Sequence, residues 1–167
     1  MRLLLTFLIV LSLAPSARAD GNRGIRFFRG TWQEACRVAA EEGKLVFADF
    51  YTRWCGPCLH MAEEVFPLSF VGDFYNEHFV CVKIDAERGE GVELAERYGV
   101  RSYPAYVFAD PETGEAVHRS GSRQSAEQFL ATGENALRPE TRSGYSTQLK
   151  VTEGESAAAQ ADGLFAM

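Results

Sequence analysis

Between residues 31 and 137 the apolar positions follow two rhythms, one belonging to helices and one to buried strands. Trp32, Ala35, Cys36, Ala39 and Ala40 recur at three- and four-residue intervals, which puts them on one helix face. Thr31 and Glu34 frame the start of that helix as a capping box, and Gly43 supplies its stop. Residues 44–51 are then almost continuously apolar, the pattern of a strand covered on both faces, with Asp49 the exception inside it. A helix whose first turn contains Cys58 is predicted to continue over residues 59–66, until Pro67. The aromatic stretch holding Phe70, Phe74, Tyr75 and Phe79 reads as a short helix feeding a strand over 80–85. Residues 93–98 read as a helix closed by Gly99, and residues 103–108 as a third strand. Asp110-Pro111-Glu112-Thr113-Gly114 is a turn, after which residues 116–120 pair back as a hairpin. Ser125 and Gln128 cap a last helix running to about Leu137. The order is helix, strand, helix, strand, helix, strand, strand, helix: an α/β domain with one antiparallel hairpin and no internal repeat.

The flanks follow other rules. Arg2 gives a short positive start, residues 3–13 are apolar apart from Thr6 and Ser12, and Ala17-Arg18-Ala19 is a small-x-small cleavage pattern. Residues 1–19 therefore read as a signal peptide cleaved before Asp20. The apolar run is short for a membrane span, so no stable anchor is expected after cleavage. Residues 20–30 form a lead-in, 31–138 the domain, and 139–167, rich in Ser, Thr, Gly, Glu and Ala, a disordered tail.

Charge and cysteine content narrow the function. Without residues 1–19, which carry two arginines and no acid, 15 basic side chains face 23 acidic ones, a net −8. Such a protein, with no basic cluster, is a poor partner for nucleic acid or an anionic membrane surface. Export, to the periplasm if the source is bacterial and otherwise to the medium, puts its four cysteines where disulfides persist.

Cys55 and Cys58 are two residues apart and follow directly on a strand, at the start of the next helix. Two cysteines so spaced can close a disulfide across a first helical turn. Unpaired amides and the helix dipole there favour a thiolate at Cys55, which makes it the expected nucleophile and Cys58 the resolving thiol. Pro57 suits the first turn, where its missing N–H costs nothing. A zinc site built from Cys36, Cys55, Cys58 and Cys81 is the competing reading, but four-cysteine sites usually show two short-spaced pairs and this chain has one. Cys36 and Cys81 read as small core residues, with a second disulfide between them as the alternative.

The segment Ala48-Asp49-Phe50-Tyr51-Thr52-Arg53-Trp54-Cys55-Gly56-Pro57-Cys58 resembles the thioredoxin active-site segment. Tyr103-Pro104 is similar to that family's cis-proline site, and residues 82–85 to its central strand. The likeness covers roughly residues 28–137. It implies a thioredoxin fold, a central mixed β-sheet flanked by helices in a single domain. It also implies protein-disulfide oxidoreductase activity needing no cofactor or metal beyond the Cys55–Cys58 couple. By the same resemblance Pro104 is cis and lies beside Cys55, while Tyr103 offers its backbone to an extended substrate. Asp49 is then the buried acid that moves the Cys58 proton, with Lys83 as its partner; burial alone would raise such a carboxyl. Trp54, Gly56 and Pro57 shape the docking surface.

Two departures qualify the likeness. Leu59 and His60 follow Cys58 where many thioredoxins have a lysine first, so His60 is a candidate modulator. The aromatic stretch over 66–79 is more like exported thioredoxin-like reductases and the periplasmic domains of membrane electron conduits. The Gly56-Pro57 dipeptide resembles that of reducing thioredoxins. The expected reaction is therefore reduction of disulfides in client proteins, with electrons supplied by a membrane thiol donor. An oxidase or isomerase of the same fold, and a client-binding chaperone, are the alternatives.

Overall fold

The computed structural model describes residues 24–139. The signal segment, the start of the lead-in and the tail from residue 140 lie outside the described residues. The predicted elements are present, with some boundaries moved. Helix α1 (Trp32–Glu42) opens on the capping box: Thr31 Oγ1 accepts from the Glu34 amide, and the Glu34 carboxylate accepts from the Thr31 amide at 2.8 Å. Gly43 closes it with a left-handed φ of 65°, a conformation that costs glycine little.

Strand β1 (Leu45–Tyr51) is central. It runs parallel to β2 (Phe79–Asp85) on one side and antiparallel to β3 (Ala105–Ala109) on the other. Strand β4 (Ala116–Gly121) completes the mixed sheet as a hairpin with β3. The register sets Asp49 opposite Lys83 on β2 and Tyr106 on β3.

Side-chain alternation divides the core between the two sheet faces. Val46, Ala48, Phe50, Val80, Val82, Ile84 and Val107 meet α1 and α4 (Glu90–Arg97) on one face. Phe47, Cys81, Tyr106 and Phe108 meet α3 (Ser69–His78) and α5 (Ala126–Leu137) on the other. Within the aromatic stretch Phe66, Tyr75 and Phe79 are thus core, Phe74 packs against them and Phe70 is exposed, and the helix is ten residues long. Tyr75 stacks on Phe129 at 4.3 Å and donates its hydroxyl to the Phe129 carbonyl at 2.7 Å, which satisfies a buried polar tip. The division also separates the two remaining cysteines. Cys36 packs beside the first cluster and Cys81 sits within the second, so the sheet lies between them and both are free thiols.

Two boundaries differ from the sequence reading, and the helix entered at the cysteine pair changes form along its length. Helix α2 (Gly56–His60) begins where expected, with Cys55 as its N-cap and Pro57 in its first turn. It continues as a π-helical turn, Met61–Val65, in which the Phe66 amide reaches back to the Met61 carbonyl. Strand β3 begins at Ala105, leaving Tyr103 and Pro104 in the bend before it. Helix α4 begins at Glu90 because Gly91 is buried there against β2, a position that apolar periodicity does not mark.

A Cβ on Gly91 would stand 2.1 Å from the Asp85 carbonyl oxygen, a backbone atom that cannot swing aside. Gly91→Ala is therefore expected to lower stability by about 1–3 kcal/mol through overpacking. Urea unfolding followed by far-UV circular dichroism would measure it; an unchanged midpoint would show that α4 is free to shift.

The lead-in covers the outer edge of β2. Phe27 bridges Cys81 in parallel, and the Phe28 amide donates to the Cys81 carbonyl at 2.7 Å. The Ile25 amide donates to the Phe66 carbonyl at 2.9 Å, tying the lead-in to the end of the π-helical turn. A backbone so engaged removes an open strand edge.

Candidate redox site

Strand β1 ends at Tyr51, and after three intervening residues the chain enters α2 through Cys55. Cys55 keeps an extended backbone at the N-cap, and its Sγ accepts a hydrogen bond from the Cys58 amide at 3.1 Å. Cys55 and Cys58 form a disulfide with their Cα atoms 5.3 Å apart. An amide aimed at Cys55 Sγ favours negative charge on that sulfur once the bond is reduced. Exposure does not tell the two apart, since both residues are nearly covered. Position in the helix does: Cys55 caps it and Cys58 lies inside its first turn.

A cavity of about 240 Å³ adjoins the disulfide, lined by both cysteines together with Trp54, Leu59, Ala62 and Lys83 among others. A roomier one, about 560 Å³, lies near Lys44, His78 and Asp110, at the opposite end of β1, and contains no sulfur. The chemistry points to the smaller.

Trp54 stands 70% exposed, so its role is not core packing. Its indole N–H donates to Glu87 Oε1 at 3.0 Å, and its ring meets Tyr103 edge to face at 6.1 Å. That contact brings the segments carrying Cys55 and Pro104 together. The Tyr103–Pro104 peptide is cis, Pro104 is buried, and its carbonyl accepts from the Ser122 amide at 3.0 Å. Gly56 and Pro57 are exposed between the two cysteines.

Asp49 is 2% exposed in the middle of a central strand. Lys83 Nζ is 3.7 Å from its Oδ2, while Oδ1 is buried with no hydrogen-bond partner. Burial pushes the carboxyl up to about 6, against the downward pull of the Lys83 ammonium. Lys83 also lines the cavity beside Cys58, so one ammonium connects the disulfide's surroundings to the buried acid. His60 is half-buried at the end of α2 and outside that lining.

The four-cysteine zinc arrangement does not form, because Cys36 and Cys81 sit on opposite sheet faces and the other two are bonded to each other. Among the described residues no group of three or more His, Cys, Asp or Glu side chains is placed to hold a metal ion.

Several contributors went unread in the sequence. Glu87 orients Trp54 from 33 residues away, and Thr52 is buried with an unpartnered hydroxyl. Leu59 and Ala62 furnish cavity wall. Helical spacing from Cys58 could have marked Ala62; nothing local marks Glu87.

The family model described as Thioredoxin-like domain matches residues 32–137. Thioredoxin-1 of Drosophila melanogaster is 44% identical over 72 residues, 43% of this chain and 63% of that protein, so the chain spans just under two thirds of this relative's length. The solution structure of a candidate disulphide-isomerase from Bacteroides thetaiotaomicron superposes with a TM-score of 0.62 at 41% identity, covering 69% of this chain and 94% of the other. A thioredoxin from Thermus thermophilus superposes with a TM-score of 0.58 at 29% identity, covering 65% and 83%.

Proposed function

The chain belongs to the thioredoxin-like domain family, with its four-stranded mixed sheet and Cys-x-x-Cys disulfide, and from that premise we propose an exported protein-disulfide reductase working by dithiol–disulfide exchange. The observation that carries the reading is the Cys55–Cys58 disulfide at a helix start, with the Cys58 amide on Cys55 Sγ.

In the reduced protein the Cys55 thiolate attacks one sulfur of a client disulfide. The client S–S bond breaks, a Cys55–client bond forms, and the departing client sulfur leaves as a thiolate that takes up a proton. Cys58 then attacks Cys55 Sγ, expels the second client thiolate and closes the disulfide seen here. Two electrons pass to the client and the pair is oxidised. Cys58 must lose its proton to do so. Asp49, with a carboxyl that titrates near neutral pH, is the acceptor, and Lys83 steadies the charge it carries when ionised. The exposed Trp54 ring, Gly56 and Pro57 form the docking surface, with the Tyr103–Pro104 bend beside them. His60 ends α2 two residues after Cys58 and is the candidate modulator of the couple.

The signal pattern of residues 1–19 supports export, to the periplasm in a bacterium. Outside the cytosol the oxidised pair needs a thiol donor, which we place in a membrane conduit. The Gly56-Pro57 dipeptide and the thioredoxins among the relatives favour the reducing direction. The 41% identical candidate isomerase favours a second reading, disulfide rearrangement on the same chemistry.

Equilibrating the purified protein with glutathione buffers and trapping its thiols decides between them. A couple near about −270 mV is expected for a reductase, and a value at or above about −180 mV would move the protein to the isomerase or oxidase reading.

A further inference from the structure

Lys83 is the one outward residue in a strand otherwise buried up to its final position, yet its ammonium does not simply enter solvent. It lies 4.9 Å from the centroid of the Tyr51 ring, 5.5 Å from that of Phe27 and 5.6 Å from that of Phe66. All three lie within the roughly 6 Å at which a ring face attracts a cation. They come from three separate stretches: the end of β1, the lead-in, and the residue closing the π-helical turn. The lead-in tie from the Ile25 amide to the Phe66 carbonyl links two of them.

We propose that Phe27, with Tyr51 and Phe66, forms an aromatic cage that holds the Lys83 ammonium beside Asp49, making the lead-in a positioning element of the redox site. The idea rests on the reading of Asp49 as proton acceptor in disulfide exchange. Phe27 lies outside the stretch over which the chain matches its family, so this is a feature of the chain's own N-terminal segment.

The geometry argues that the rings hold the cation. At 3.7 Å the Lys83–Asp49 contact is longer than the roughly 2.7–2.9 Å of a charge-assisted hydrogen bond. The carboxylate alone therefore does not place the ammonium. The lysine stem has four carbons, its side chain is 31% exposed, and solvent is open to it. Three ring faces supply the competing attraction and limit where the charge can go.

The groups facing this pair come from every neighbouring element. Lys83 and Asp85 are on β2, with Asp85 already engaged by Arg53 and Arg88. Tyr106 faces Asp49 from β3, with its hydroxyl donated to the Ser122 carbonyl at 3.3 Å. Tyr51 faces Lys83 from β1, and Cys58 shares the cavity wall from α2. Among these, Lys83 is the cation beside the carboxylate, so its position governs the Asp49 charge.

The test is a titration of Asp49 in the reduced full-length protein by carboxyl-carbon NMR, the signal assigned through Asp49→Asn. If Phe27 holds the ammonium, Phe27→Leu lets it drift outward, and the Asp49 midpoint rises by about half a pH unit. Phe27→Tyr, which keeps a ring, leaves the midpoint in place. In a Lys83→Gln background the midpoint is already raised and Phe27→Leu adds nothing.

A ring that only excluded water would act with the opposite sign, so a midpoint that falls or stays put in Phe27→Leu overturns the proposal. An equal rise with and without Lys83 also overturns it. Should Phe27→Leu not fold, Tyr51→Leu removes the nearest ring and carries the same expectation. The titration needs no client protein, so its result stands apart from the outcome of activity tests on Cys55.

Discussion

Cys55→Ser is expected to lower disulfide reduction by at least about a thousandfold, because a serine hydroxyl supplies no thiolate near neutral pH. Cys58→Ser is expected to behave differently. Cys55 still attacks, but nothing expels it from the client, so one client molecule accumulates on each enzyme as a mixed disulfide. Incubating each variant with a disulfide-containing peptide, then running mass spectrometry without reductant, separates the two roles. An adduct on Cys55 in the Cys58→Ser protein, and none in Cys55→Ser, fits the positions of the two sulfurs at the helix start. An adduct on Cys58 would reverse the assignment. A double Cys55→Ser, Cys58→Ser protein that still sustained client folding would show that binding, not exchange, is the function.

Asp49→Asn is expected to stabilise the protein at pH 7 while slowing turnover. The sign follows from linkage. The Asp49 carboxyl titrates near 3.8 in an unfolded chain and is raised to about 6 in the fold. Between those values the folded state binds more protons than the unfolded one at this site, so the Asp49 contribution to stability is most favourable below pH 4 and falls as pH rises to about 6. A shift of that size corresponds to a penalty on the order of 3 kcal/mol at neutral pH, much of which asparagine would remove. The stability difference between variant and parent should therefore be near zero at pH 3.5, grow through pH 4–6 and level off above. Denaturant unfolding at a series of pH values measures this. A variant less stable at pH 7 would mean that the Lys83 contact outweighs the cost of burial, and a gain independent of pH would mean that the gain does not come from the ionisation of Asp49. Turnover should lose its dependence on a group titrating near 6, because the proton acceptor is gone.

These expectations draw on parts of the molecule that were legible to different degrees before folding. Both capping boxes, at Thr31 and Ser125, were readable from residues three apart, and both are formed. Asp49 was conspicuous as an acid inside an apolar run, and it is buried. Element edges were less visible where a single packing contact sets them. Gly91 packs the first turn of α4 against the Asp85 carbonyl, and a glycine carries no apolar signal of that role. The aromatic stretch over 66–79 was visible as unusual, but not as the partner of Phe129 more than fifty residues away.

The sequence by itself determined the order of elements, the helix caps, the cysteine pair and its placement at a helix start. Each depends on hydrogen bonds or periodicity within about four residues, where backbone geometry leaves few options. Only the tertiary structure decided that Cys36 and Cys81 face opposite sides of the sheet, that Glu87 turns Trp54, and that Phe27, Tyr51 and Phe66 converge on Lys83. Those arrangements join residues 15 to 56 positions apart. The Asp49–Lys83 pairing at their centre follows from strand register, since a slip of one residue in β1 would send Asp49 to the other face and part it from Lys83.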